Sequence, residues 1–154
     1  MESEIRIRRQ MIEIGKRIYQ SGMVAANDGN LSVRISENEI LCTPTGISKG
    51  YMTEECLCKI NLQGEVLSCQ DGFRPSSEMK MHLKVYEKRP DVRAVVHAHP
   101  PYATTFAIGG QALNRAIISE SYQPRIHCKS WLCADSRIWS AVYAGNTGCH
   151  CTIS

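Results

Sequence analysis

Two histidines spaced i, i+2 close an apolar run, Val92-Arg93-Ala94-Val95-Val96-His97-Ala98-His99. β-Branched residues before them read as a strand, in which alternate side chains point to one side. Both imidazoles therefore face one place at the strand's end, as two ligands of a divalent metal would. A carboxylate, Glu78, follows Pro75-Ser76-Ser77 at the expected start of a helix. There it could complement the helix dipole, move protons, or act as a displaceable metal ligand if the histidines lie near. The serine pair could cap that helix and leave N–H groups facing outward, a geometry that favours phosphate. Gly29-Asn30 and Thr45-Gly46 offer small turns with Asn and Thr side chains suited to an anion. Each is also an ordinary turn. His82 falls on the apolar side of the same helix and reads as a core or supporting histidine rather than a ligand.

The elements that must position these groups are legible by periodicity. Ile7, Met11, Ile14 and Ile18 form one stripe on a helix from Ser3 to Gln20, with Gly22 as its stop. Residues 31–35 and 39–43 alternate as a hairpin across Ser36-Glu37-Asn38, and 58–62 with 65–68 as a second across Gln63-Gly64. Arg74-Pro75-Ser76-Ser77 starts the second helix, which continues from Glu78 to about Lys88 with Met79, His82, Leu83 and Tyr86 inward. After the histidine strand, Pro100-Pro101 precedes a helix over 102–108.

The chain has 154 residues, a formal net charge of +3, 43% hydrophobic and 21% charged residues. That fits one domain with its own core. No concentrated basic face argues for nucleic acid, and no run nears the ~18 apolar residues of a membrane span. The start, Met1-Glu2-Ser3-Glu4, has no apolar leader core, so a cytoplasmic location and free thiols are expected for the eight cysteines.

Gly-Asn-Leu-Ser at 29–32, Thr-Pro-Thr-Gly at 43–46, Pro-Ser-Ser-Glu at 75–78 and His-Ala-His at 97–99 occur in that order. Together they resemble the class II aldolase/adducin family, and within it the fuculose-phosphate aldolases. The resemblance covers residues 3–120. It implies an α/β fold, a three-layer α/β/α sandwich around a mostly antiparallel sheet, assembled as a homotetramer. It implies zinc held by His97 and His99, with Glu78 as catalytic carboxylate and metal neighbour. It implies a substrate phosphate at Asn30, Thr45, Gly46, Ser76 and Ser77. The implied reaction is cleavage of a ketose 1-phosphate to dihydroxyacetone phosphate and an aldehyde. A pentose-phosphate 4-epimerase and a methylthioribulose-phosphate dehydratase are alternatives within the family. An adducin-like interaction module without metal and an inactive truncated product are alternatives outside enzymology. Keeping Glu78, His97 and His99 together argues against a pure binding module.

The pattern changes after Glu120. Residues 121–154 hold both tryptophans, four of the eight cysteines and one acidic residue, Asp135. The family's third zinc histidine, expected in a later His-His-Gly segment, has no counterpart; His127 and His150 lie in other contexts. The expectation is a family domain over 1–120, incomplete at its C-terminal side, followed by an atypical tail from a frameshift. Translation of the native locus in all frames tests this; absence of a His-His-Gly segment in every frame rules the frameshift out.

Overall fold

A computed structural model describes residues 3–110, 131–132 and 138–142. The tail candidates His127 and His150 lie outside the described residues.

Helix α1 spans Glu4–Gln20, with the Ser3 hydroxyl accepting the Arg6 N–H. It stops where Gly22, at φ 66°, lets the Met23 N–H return to the Ile18 carbonyl. Its buried line is Ile7, Met11 and Gly15, whereas Ile14, expected in the stripe, is 40% exposed. The reason is steric. α1 rests on a 3-10 turn, Lys49–Tyr51, and a Cβ on Gly15 would stand 2.4 Å from the Met52 Cε and 2.8 Å from the Lys49 carbonyl. The missing side chain at 15 draws that edge of the helix inward and turns Ile14 out.

Strands β1 (Asn30–Arg34), β2 (Glu39–Cys42), β3 (Cys58–Asn61), β4 (Val66–Ser68) and β5 (Ala94–Ala98) follow. With β6 (Trp131–Leu132) and β7 (Ile138–Val142) they form one sheet, ordered β4-β3-β2-β1-β5-β7-β6, and each pairing is antiparallel. β7 lies beyond residue 120, where the family fold is expected to end, and its Ala141 pairs with His97 of β5.

Alternation divides the core in two. Ile40, Cys42, Cys58, Ile60 and Val95 pack on one side with Met79, Val85 and Tyr86 of helix α2, Met79–Lys88. Leu31, Leu41 and Leu57 pack on the other side with Ile7 and Met11 of α1. The result is helix, sheet, helix: the expected three layers.

Four local expectations need correction. Cys58 is bonded to Cys69, whereas Cys42 and Cys56 are free and buried; free thiols were expected throughout. The first α-helical residue of α2 is Met79, not Ser76 or Ser77, because the chain first closes a turn in which the Met79 N–H meets the Ser76 carbonyl. β5 ends at Ala98, and His99 leaves the sheet as its N–H bonds the Met23 carbonyl at 2.8 Å. Helix α3, Pro101–Ile108, begins one residue earlier than expected, with Pro101 in its first turn.

Candidate active site

The site forms where the first residue of β1 meets the end of β5. Asn30 pairs with His97 across the strands. This register depends on Gly29. Its φ is +71°, and a Cβ there would lie 2.6 Å from the Val24 Cγ1 and 2.7 Å from the His97 carbonyl oxygen. Gly29→Ala is therefore strained in both backbone and packing. We expect a loss of about 1–3 kcal/mol of folding stability, measurable by denaturant titration.

Both histidines do face one place. Their ring centroids are 4.6 Å apart. His97 is fully buried, and its Nδ1 lies 3.0 Å from Oε2 of Glu78, whose side chain is 29% exposed. That carboxylate oxygen also accepts from the Asn30 Nδ2. Burial acts to raise the Glu78 carboxyl, but the bonds from His97 and Asn30 outweigh it, holding the group below the ordinary glutamate value. Burial and then neighbouring His97 lower His99, against the opposing pull of Asp28 and Glu78.

His82 lies behind this group and is fully buried. Its Nε2 is 2.5 Å from the Asn30 Oδ1 and its Nδ1 2.7 Å from the Ser32 hydroxyl, which lies 2.8 Å from the Tyr86 hydroxyl. It is thus a supporting histidine, as its apolar position suggested. Burial drives it down to about 3 from 6.5. Because the folded value is the lower one, the unfolded chain binds the extra proton first. The associated stability is complete above pH 6.5 and is lost as pH falls from 6.5 toward about 3. Denaturant titrations across that range should show stability falling as pH falls, a dependence weakened in His82→Gln.

Pro44 bridges Pro75, which lays Thr45-Gly46 beside Ser76-Ser77. The bridge uses the Thr45 N–H on the Arg74 carbonyl and the Ser76 N–H on the Thr43 carbonyl, so the latter does not face outward as expected. The Ser76 hydroxyl accepts the Glu78 N–H at 3.4 Å. Gly46 and Ser77 are exposed. Asn30 is 2% exposed, with its amide joined to both Glu78 and His82.

Sequence reasoning missed Lys49. It is 1% exposed, and its ammonium donates to the carbonyls of Asn27 at 3.1 Å and Ile47 at 2.6 Å. It ties the turn before Asn30 to the turn after Thr45. A lysine next to a glycine in a loop ordinarily signals a solvated surface, so no local signal marks it. Ser32 and Tyr86 were missed as polar groups for a different reason. Glu78, His82 and Tyr86 recur at i, i+4, i+8, and Asn30 and Ser32 at i, i+2; these two stripes could have been matched.

The donor set suits zinc as far as it goes. A histidine that gives its Nδ1–H to a carboxylate keeps its basic nitrogen at Nε2, the pattern of metal-binding imidazoles. Among the described residues no group of three or more His, Cys, Asp or Glu side chains is arranged to hold a metal ion. His97 and His99 are the candidate pair, and no third such side chain joins them among the described residues.

The sequence model of the family described as class II aldolase and adducin N-terminal domain matches residues 9–138. A 3-oxo-tetronate 4-phosphate decarboxylase of Haemophilus influenzae is 38% identical over 97 residues, 63% of this chain and 45% of that protein. An L-fuculose phosphate aldolase of Methanococcus maripaludis is 38% identical over 98 residues, 64% of this chain and 52% of that protein. The crystal structure of L-fuculose-1-phosphate aldolase from Thermus thermophilus superposes with a TM-score of 0.64 at 28% identity, covering 77% of this chain and 59% of that one. The chain spans about half the length of the curated relatives it matches.

Proposed function

This chain belongs to the class II aldolase and adducin N-terminal domain family, and from that premise we propose that it serves in zinc-assisted cleavage of a ketose 1-phosphate. The products are dihydroxyacetone phosphate and an aldehyde. The observation that carries the reading is the shared corner of Glu78, His97 and His99. His97 and His99 would hold the metal, with Glu78 bonded to the other ring nitrogen of His97. Bound zinc supplies Lewis acidity at the substrate's carbonyl oxygen. Thr45, Gly46, Ser76 and Ser77 receive the phosphate, and Asn30 borders it. Glu78 carries the proton to or from the carbon whose bond is broken or made. The working enzyme is a cytoplasmic homotetramer.

The 38% identity to the Haemophilus decarboxylase favours a second reading on the same residues. Decarboxylation beside a carbonyl and retro-aldol cleavage both break a C–C bond and push its electron pair toward the carbonyl oxygen. Both then need a proton returned to carbon. The test is to load the protein with zinc and assay L-fuculose 1-phosphate and 3-oxo-tetronate 4-phosphate. Dihydroxyacetone phosphate from the first supports the aldolase reading. Carbon dioxide from the second alone transfers the assignment to decarboxylase. Turnover of neither overturns both.

A further inference from the structure

We infer that His82 is a positioning residue for Glu78, acting through the side-chain amide of Asn30. The inference rests on the proposed role of Glu78 as proton carrier. His82 is fully buried and its ring is bonded to Asn30 and Ser32 alone among the contacts that define this group. Its effect is relayed.

The argument is one of donors and acceptors. An ionised carboxylate only accepts, so Asn30 must present its NH2 to Glu78. The Asn30 carbonyl oxygen then faces the His82 Nε2 at 2.5 Å, and an oxygen there requires Nε2 to carry the proton. The His82 Nδ1 is therefore the acceptor, and the Ser32 hydroxyl donates to it at 2.7 Å. With its only hydrogen so used, Ser32 must receive the Tyr86 hydroxyl proton at 2.8 Å. Tyr86, Ser32, His82 and Asn30 thus form a chain with one consistent direction, ending on Glu78 Oε2. His97 donates to that same oxygen from its Nδ1 at 3.0 Å. Two donors on Oε2 fix the carboxylate plane and leave Oε1 as the oxygen that exchanges a proton with substrate. A histidine held neutral by burial suits this role, because it keeps one donor face toward Asn30.

Nitrogen-15 NMR of the full chain tests the direction without any need for turnover. The expected signature is His82 protonated at Nε2 and bare at Nδ1, with His97 protonated at Nδ1. In His82→Phe the His97 signature is lost, because Asn30 no longer has a fixed orientation; in His82→Gln, which places an N–H near the former Nε2, it returns. For the zinc-loaded enzyme, His82→Phe lowers kcat roughly 10–100-fold with KM little changed, and His82→Gln recovers most of it. A packing role alone would not separate the two variants in this way. The inference is overturned if the parent chain's His82 carries its proton on Nδ1, or if folded His82→Phe keeps the His97 signature and full kcat. If the NMR signatures hold and no sugar phosphate is turned over, the failure belongs to the proposed function, not to the positioning.

Discussion

Glu78→Gln lowers turnover of the sugar phosphate by about 10²–10⁴-fold, while the zinc content stays close to that of the parent chain. Glutamine has the same shape, and its amide oxygen can accept from both Asn30 and His97, the two donors that hold Oε2 in the parent. The fold of the corner is thereby preserved. What disappears is the basic oxygen, since an amide neither takes up nor returns a proton near neutral pH. The parent carboxyl is held below the ordinary glutamate value despite its burial, so it enters the reaction ionised. Steady-state kinetics with metal analysis on the same preparation checks the expectation. An active Glu78→Gln enzyme would mean that another group carries the proton.

His97→Ala removes zinc binding and turnover together. A protein site of four ligands binds zinc with an apparent ~10–16 kcal/mol, about 2.5–4 kcal/mol per ligand, so losing one costs roughly 10²–10³-fold in affinity. Two further losses follow from the geometry. The buried ring leaves a cavity at the end of β5, and Glu78 loses one of the two donors that orient it. Equilibrium dialysis against zinc measures the first effect, and thermal unfolding of the metal-free protein measures the cavity. Glu78→Gln and His97→Ala therefore separate chemically: the first loses turnover and keeps zinc, the second loses both.

Much of this arrangement is legible from periodicity because it is local. The strand run is read correctly up to Ala98, and although His99 leaves the sheet its ring still lies beside that of His97. The stripe of α1 is read correctly at Ile7 and Met11 but fails at Ile14. Its failure comes from Gly15, which meets the Lys49–Tyr51 turn, a contact between segments far apart in sequence. Lys49 is illegible for the same reason, since its acceptors are carbonyls brought near by folding. Asn30 shows the limit most clearly. The sequence offers it only as a candidate phosphate contact, and the pairing of β1 with β5 reveals that its amide spans His82 and Glu78. The spacings of Glu78, His82 and Tyr86 on one helix and Asn30 and Ser32 on one strand are visible in sequence, but their meeting is a fact of the fold.

Anomalous diffraction at the zinc edge from crystals of the zinc-loaded protein decides whether His97 and His99, with Glu78 bonded to His97, form one metal-dependent centre. The expected result is a single strong peak within ~2.0–2.1 Å of a ring nitrogen of both His97 and His99, with Glu78 still bonded to His97. Zinc bound elsewhere with those two rings unliganded, or no zinc retained by a folded protein, would contradict it.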